Sequence, residues 1–86
     1  MREHDLKCWP EFFAGVEAGQ NPFEVRRDDG RGFAVGDTLL LREWDPETGE
    51  YTGRACRRRI TYVLRGPRWG IEAGYVVMGL AAEVAA

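Results

Sequence analysis

The sequence predicts an α+β domain that is mostly β, a small pseudo-barrel of five to six strands with one short helix packed beside it. Three observations predict this class. Short apolar segments with period-two alternation recur along the chain, turn-forming residues separate them at short intervals, and only one segment has apolar residues at helical spacing. With 86 residues the chain is too short for a second core, so residues 1–86 are predicted to form one domain.

A strand and the helix are the first two predicted elements. Residues 4–8 alternate, which predicts a strand with Lys7 on the face opposite its apolar residues. Pro10 suits the first turn of a helix, where its missing N–H group costs no hydrogen bond, and Gly19 suits the position just after the last turn. The apolar stripe between them is formed by Phe12, Phe13 and Val16.

Residues 23–28 are predicted to form the second strand. Alternation places Phe23 and Val25 on one face, where we expect them to anchor the strand in the core. Glu24 and Arg26 then share the opposite face, which is directed outward or into a cleft. A charged turn with two glycines follows and leads to the Val-Gly-Asp segment before the next strand.

The C-terminal half is predicted to contain three more strands. Residues 38–44 and 54–64 alternate, and a hairpin loop over residues 45–53 joins them. Residues 75–80 are almost continuously apolar, which predicts a central strand covered on both faces. The remaining residues 81–86 are expected to form a frayed end or one helical turn.

Two charged side chains fall on apolar faces of these strands. Glu43 shares a face with Leu41, and Arg58 shares a face with Ile60 and Tyr62. A carboxylate near a core is costly unless it has a partner. We therefore expect Glu43 and Arg58 to form a salt bridge at the mouth of the barrel.

Composition excludes several classes of protein. The chain is 44% hydrophobic and 30% charged, as in folded domains and unlike disordered ones. Its apolar runs are too short to span a membrane and its N-terminus lacks the apolar stretch of a signal peptide, so we expect a cytoplasmic protein with no membrane partner. A net charge of -2 excludes a global basic field for nucleic acid and leaves only a local patch. The excess of arginine over lysine reflects either GC-rich codon usage or a preference for bidentate phosphate donors.

Cys8 and Cys56 are the only cysteines. Because no export signal is present, we expect free, buried thiols rather than a disulfide. The two cysteines and the single histidine, His4, match no zinc-binding spacing. The sequence therefore predicts neither a metal site nor a cofactor.

Several segments in a fixed order give the chain a family resemblance. They are HDLK, FEVR, F-x-VGD, L-x-L-x-EW, YTGR, ITYVL and GYVVMGL. In this order they resemble the bacterial and phage ASCH-like domains of unknown function in the PUA-like superfamily, over residues 4–80. The resemblance implies a PUA-like pseudo-barrel with an open cleft between helix and barrel, and RNA or nucleotide binding in that cleft.

The chain departs from the ASCH motif at one position, whereas Glu24 and Arg26 match the rest of that motif. Sequences of the ASCH type usually carry a lysine in a G-x-K-x-x-E-x-R motif, and Asn21 stands at that position here. Some ASCH-like proteins resemble amidohydrolases that deacetylate acetylated cytidine with a lysine and a threonine from this segment. Glu24 stands at the threonine position, so neither the amine nor the hydroxyl is present for that reaction.

The resemblance brings Lys7, Glu24 and Arg26 to the cleft. There Lys7 would hold a phosphate or donate to a base, and Arg26 would bind phosphate. Glu24 would accept a hydrogen bond from a base edge or carry a proton. The alternative is a solvated lysine and an exposed ion pair that contributes roughly 0–1 kcal/mol.

Further candidates lie in predicted turns and loops. Arg27, Arg31 and Arg54 would form a rim that follows the phosphates, although charged turns are more often simply solvated. Tyr51 and Trp69 are the aromatic residues best placed to stack on bases, and the alternative for each is a place in the core.

Three classes of function remain open from the sequence. The first is a module that binds RNA, another nucleic acid or a nucleotide through the cleft, and we expect it to be a monomer. The second is a small hydrolase or ribonuclease acting on RNA or a modified nucleoside, with Glu24 as the base, Lys7 as the electrostatic stabiliser and His4 assisting. The third is a protein-interaction domain that docks a partner through an edge strand or hairpin.

Overall fold

The computed structural model describes residues 1–82 of the chain. Within this range five strands form a single curled sheet, a half-barrel, and one short helix packs against it. This confirms the prediction of a mostly β fold with one helix. The elements are β1 (Glu3–Cys8), α1 (Pro10–Glu17), β2 (Phe23–Arg27), β3 (Thr38–Asp45), β4 (Glu50–Arg65) and β5 (Tyr75–Ala82).

The strand order β1-β3-β4-β5-β2 makes β1 and β2 the two edges of the sheet. The β1–β3 pair is parallel and the other three pairs are antiparallel. In β1 the even-numbered residues face β3, since Thr38 N–H donates to the Arg2 carbonyl at 2.9 Å. The odd-numbered carbonyls therefore face the open edge. Arginine side chains from the other side of the opening donate to two of them, those of Asp5 and Lys7.

The core lies on the concave side of the sheet and is closed by α1. Phe13 and Val16 of the helix, spaced one turn apart, are buried there. The other buried apolar residues are Leu6, Cys8, Phe33, Leu39, Leu41, Ile60, Val76, Met78 and Leu80. The alternation predicted for β1 and β3 is confirmed, because every second residue of both strands is buried.

The helix begins and ends as the sequence predicts. Pro10 occupies the first turn, and Gly19 follows the last turn with a φ of 77°, a left-handed conformation that suits glycine. Arg58 Nη2 donates to the carbonyls of Val16 at 3.2 Å and Glu17 at 3.0 Å. A cation at this end also complements the helix dipole. The predicted Glu43–Arg58 salt bridge is therefore wrong, because Arg58 is committed to the helix end.

The prediction for the faces of β2 is reversed in the structure. Phe23 and Val25 are 51% and 52% exposed, so they do not anchor the strand in the core. Glu24 and Arg26 lie directly opposite Met78 and Val76 of β5, both of which are buried, and therefore point to the concave side. The physical reason is that β2 is an edge strand whose concave face borders a polar opening rather than the packed core.

Alternation in β4 is broken by a bulge. The register with β5 shifts between Ile60 and Tyr62, so that Val63 lies opposite Met78. Val63 therefore points inward, and Tyr62 points outward with 62% of its surface exposed. The sequence-based assignment of Tyr62 to the face of Ile60 is wrong because strict alternation contains no signal for the extra residue.

Two strand predictions are corrected at their limits. The loop predicted over residues 45–53 is shorter, because Tyr51 pairs with Trp44 and β4 already starts at Glu50. In β5 one face is buried while the other is only partly covered, so this central strand is not covered on both faces. Residues 81–82 continue β5, and residues 83–86 lie outside the described residues.

Candidate functional site

A cavity of about 560 Å³ opens between α1 and the two edge strands. Its walls are mainly apolar and include three aromatic residues, Trp9 and Phe12 on the helix side and Phe23 on the β2 side. These three rings are 47%, 54% and 51% exposed. We call this cavity the cleft. Phe12 was expected in the apolar stripe that packs on the core, but it lines the cleft, since an eight-residue helix buries only Phe13 and Val16.

An ion pair between Glu24 and Arg26 forms the polar part of the cleft. Arg26 Nε donates to Glu24 Oε2 at 2.6 Å, and the Glu24 side chain is only 12% exposed. Arg26 Nη2 donates in addition to the Lys7 carbonyl at 2.7 Å, which links the two edges of the open sheet. Within residues 1–82 no other group donates a hydrogen bond to Glu24. One carboxylate oxygen thus remains available to a ligand in the cleft.

Lys7 contributes its backbone rather than its amine to this arrangement. It lies directly opposite Arg42 in the β1–β3 register, so its side chain is on the convex face of the sheet. The ammonium group lies 4.5 Å from the centre of the Trp44 ring, a cation–π contact. The structure thus brings Glu24, Arg26 and the Lys7 carbonyl together, and the Lys7 ammonium stays on the convex face.

The position of Asn21 at the cleft depends on a glycine in the helix. Gly15 accepts backbone hydrogen bonds from Gln20 at 2.8 Å and from Asn21 at 3.1 Å. A Cβ atom on residue 15 would lie 2.7 Å from Asn21 Nδ2, closer than such contacts normally approach. The Asn21 amide, which lines the cleft, therefore occupies the space that a side chain at position 15 would take.

His4 lies apart from the cleft in a buried pair with Asp37. His4 Nε2 and Asp37 Oδ2 are 2.9 Å apart, and Asp37 also accepts from the backbone N–H groups of Arg2 at 3.1 Å and Ala34 at 3.3 Å. The hydrogen bond from His4 and those from the backbone lower the pKa of Asp37 below its ordinary value of 3.8. The His4 ring packs on Phe33, with the centres 4.6 Å apart. We call this arrangement the latch, because it fastens β1 to the segment that enters β3.

The arginines predicted for a phosphate rim are held by partners of the protein itself. Arg27 stacks over the Tyr75 ring at 5.3 Å from its centre, and Arg31 donates to the Asp5 carbonyl at 3.2 Å. Arg54 binds Glu17 at 2.7 Å and lies 3.5 Å from the buried Glu43. These contacts place the three guanidinium groups at different parts of the half-barrel rather than in one row.

Glu43 obtains partners other than the expected Arg58. Thr52 Oγ1 donates to Glu43 Oε1 at 2.7 Å, and Arg54 supplies the nearby positive charge. The carboxylate is 6% exposed, and the hydroxyl and guanidinium together offset its burial. Glu43 is therefore a structural residue at the rim of the core.

Comparison with known proteins assigns the chain to a family. Residues 3–80 match the family model described as a domain of unknown function, DUF3850. The chain belongs to the DUF3850 family. A curated relative from Escherichia phage P2, described as an uncharacterized 12.9 kDa protein in GpA 3'region, is 38% identical over 66 residues. The match covers 77% of this chain and 58% of the relative, so the DUF3850 chain matches little more than half of the relative's length. Neither description states a ligand or a reaction.

The cysteines of the DUF3850 chain are free thiols. Cys8, which lines the cleft, is buried as expected, whereas Cys56 is only partly buried. Burial, followed by the negative charge of Glu24, raises the pKa of Cys8 to about 11. Burial also raises the pKa of Cys56. A thiol with so high a pKa stays protonated at neutral pH, and the thiolate is the nucleophilic form. Cys8 therefore contributes a protonated, largely apolar side chain to the lining of the cleft.

The described part of the DUF3850 chain contains neither a metal-binding cluster nor a membrane-spanning helix. Within residues 1–82 no group of three or more His, Cys, Asp or Glu side chains is placed to hold a metal ion. In the same range no helix is long and apolar enough to cross a membrane.

Proposed function

We propose that this DUF3850 domain is a binding module for RNA or a free nucleotide, with one base held in the cleft. The observation that carries the proposal is the Glu24 carboxylate. It is nearly buried, it is oriented by a single arginine at 2.6 Å, and it borders an aromatic-walled cavity of about 560 Å³. A carboxylate in such a place favours a flat ligand that donates a hydrogen bond from its edge, as the amino and imino groups of nucleobases do.

The aromatic walls support a heterocyclic ligand. Trp9, Phe12 and Phe23 are each about half exposed, and all three line the cleft, Phe23 from the outward face of β2. Stacking of a base on such rings contributes about 1–3 kcal/mol per base and tolerates any base identity. The rings would therefore supply affinity, and Glu24 would supply selectivity for bases that donate.

The geometry of Arg26 favours a ligand that carries a phosphate group. Its Nε and Nη2 atoms are used by Glu24 and the Lys7 carbonyl, whereas its Nη1 atom has no acceptor within residues 1–82. A guanidinium group held in this way is preorganised for a phosphate oxygen. The proposal includes an ASCH-like, PUA-like ancestry for the half-barrel, which the order of the sequence motifs supports.

The arrangement gives less support to a hydrolase. The three residues of the catalytic hypothesis are separated, because His4 lies in the latch and the Lys7 ammonium stacks on Trp44. Glu24 remains as a possible base, but neither residue proposed to assist it lies beside it.

A protein-interaction function has one specific observation in its favour. Phe23 and Val25 are exposed on the edge strand β2. Glu24 and Arg26 lie in hydrogen-bonded register with β5, as the bond from Leu80 N–H to the Pro22 carbonyl at 2.8 Å indicates. The backbone groups of the alternate residues Phe23 and Val25 therefore face the open edge, where an extended peptide could add a strand.

Titration with the four ribonucleoside monophosphates and a short oligoribonucleotide, at low and at physiological salt, tests the main proposal. We expect Glu24→Gln to weaken binding of a base that donates to Glu24 by about tenfold to a hundredfold, because a hydrogen bond to a charged group contributes about 1.5–3 kcal/mol. Glu47→Gln, in the exposed β3–β4 turn, is the matched control and should leave affinity unchanged. Absence of binding at low salt, or equal affinities of the two variants, would contradict the proposal. Capture of an extended apolar peptide instead would favour strand addition at β2.

A further inference from the structure

The hairpin between β4 and β5 displays a tryptophan at its tip. Arg68 and Ile71 exchange backbone hydrogen bonds of 3.3 Å and 2.7 Å, and only Trp69 and Gly70 lie between them. Both central residues have positive φ angles, 48° and 79°. This is the sign pattern of a type I′ turn, which normally has asparagine, aspartate or glycine at these positions.

Trp69 is an unexpected residue for this place in two respects. It is the single non-glycine residue with a positive φ among residues 1–82, a conformation that its Cβ atom disfavours. Its side chain is also 74% exposed, so the ring adds little to the core. A residue held in a disfavoured backbone conformation without packing in return is a candidate for function.

A groove beside the hairpin carries positive charge and apolar surface. Its volume is about 610 Å³, and its apolar lining includes Val35, Val63 and Leu64. The charged side chains that line it within the described part of the chain are Arg65 and Arg68, with no carboxylate among them. Asp28 holds Arg65 at 2.8 Å, and the Arg68 guanidinium lies 5.6 Å from the centre of the Trp69 ring.

We propose that this hairpin and groove form a second contact site, which takes a single-stranded nucleic acid. One base stacks on the open face of Trp69, and Arg68 donates to an adjacent phosphate. Single-stranded nucleic acid fits because its bases are free to stack, and because Arg68, which forms no salt bridge among the described residues, lies beside the ring where a phosphate would follow. The inference extends the proposed function from the cleft to a separate surface.

Tyr51, the other stacking candidate of the sequence, is less suited to this role. The Arg42 guanidinium lies 3.7 Å from the centre of its ring and covers one face. The side chain is 40% exposed, compared with 74% for Trp69. Tyr51 is also on β4 next to the β3–β4 turn, at the other end of that strand from the Trp69 hairpin.

The cleft and the groove share no lining residue, which allows them to be tested separately. One probe is uridine monophosphate, a single molecule of which is too small to contact both sites. The other is an oligouridylate long enough to contact the cleft and the groove together. Trp69→Asn removes the ring and places a residue that tolerates positive φ in the turn, so the variant should unfold at a temperature no lower than the parent. Tyr51→Ala is the matched aromatic control.

We expect Trp69→Asn to weaken oligouridylate binding about tenfold, in the range for loss of one stacked base. Uridine monophosphate affinity in the cleft should stay unchanged, and Tyr51→Ala should change oligouridylate affinity by less than about twofold. Stacking should also quench tryptophan fluorescence in the parent more than in Trp69→Asn.

Equal oligouridylate affinities of the parent and Trp69→Asn would overturn the inference and leave the cleft proposal standing if Glu24→Gln still weakens nucleotide binding. The opposite result is oligouridylate binding that depends on Trp69, without any nucleotide binding in the cleft. It would support the site at the hairpin and contradict the proposed function of the cleft. Loss of self-association in Trp69→Asn with unchanged oligouridylate affinity would identify a protein contact and overturn the inference.

Discussion

The latch and the cleft each contain a carboxylate next to edge strand β1, and they differ in how fully the protein satisfies it. Asp37 accepts from His4 and from two backbone N–H groups, and only 5% of the residue is exposed. Within residues 1–82, Glu24 accepts from Arg26 alone, and it borders an open cavity. A buried carboxylate with three internal donors has a structural role, whereas one with a single donor beside a cavity can bind a ligand.

The two pairs also differ in what they connect. The latch joins the start of β1 to the Val-Gly-Asp turn, where Asp37 N–H donates back to the Ala34 carbonyl at 3.0 Å. The Glu24–Arg26 pair lies within one strand, two residues apart, and reaches β1 only through the Lys7 carbonyl. Loss of the latch should therefore affect folding, and loss of the cleft pair should mainly affect binding.

The largest expected effect is the loss of stability in Asp37→Asn. A neutral amide accepts more weakly than a carboxylate and brings an N–H₂ group toward the buried N–H donors. We expect the free energy of unfolding to fall by roughly 2–4 kcal/mol. In Glu24→Gln the amide oxygen can still accept from Arg26, whose side chain is 27% exposed, so the loss should be under about 1 kcal/mol. Urea unfolding with unchanged m values measures both changes. Similar losses in the two variants would contradict the distinction between latch and cleft.

The pH dependence of the free energy of unfolding also distinguishes the latch from the cleft. The hydrogen bond from His4 lowers the folded pKa of Asp37 below its ordinary value of 3.8, and the bond from Arg65 does the same for Asp28. The stabilisation from each depressed carboxyl is complete above its unfolded pKa and is lost as the pH falls through the folded pKa. We expect the free energy of unfolding of the parent to fall below about pH 4, and to fall less steeply in Asp37→Asn.

Unfolding measured from neutral to acid pH tests this expectation. Asp29→Asn, in the exposed turn after β2, serves as the control and should follow the parent curve. Parallel curves for the parent and Asp37→Asn would show that the latch does not carry the acid sensitivity.

The sequence predicted those parts of the fold in which local alternation matches the final sheet. In β1 and β3 every second residue is buried, as the pattern indicates. In β2 the apolar residues Phe23 and Val25 face outward, because edge position and the neighbouring cleft decide the burial of that strand. The bulge after Ile60 depends on pairing with β5, which local alternation does not reveal.

The candidate site was predictable only in part, for a similar reason. The spacing of Glu24 and Arg26 places them on one face of any strand, and the structure confirms that they share a face. The latch joins residues 33 positions apart, so no local pattern could pair His4 with Asp37. The contribution of Lys7 through its carbonyl was also hidden, because side-chain reasoning does not report on backbone acceptors.

The smallest expected effect concerns the helix side of the cleft. Alanine is about 1 kcal/mol better than glycine in a helix interior, so Gly15→Ala alone would normally stabilise α1. Here the added Cβ would lie 2.7 Å from Asn21 Nδ2 and would displace that amide. We expect Gly15→Ala to gain about 0.5–1 kcal/mol in an Asn21→Ala background and clearly less in the parent.

A double-mutant cycle by urea unfolding measures this coupling, with Ala14→Gly at the exposed neighbouring position as the measure of helix propensity alone. Additive effects on the free energy of unfolding would mean that the Asn21 side chain moves away from the added Cβ atom without cost. Gly15 would then not determine the position of Asn21 in the wall of the cleft. A coupling between Gly15→Ala and Asn21→Ala, together with weaker nucleotide binding in Gly15→Ala, would support the assignment of this region to ligand binding. It would show that a side chain at position 15 reshapes the cleft at little cost in stability, in contrast to the loss expected for Asp37→Asn.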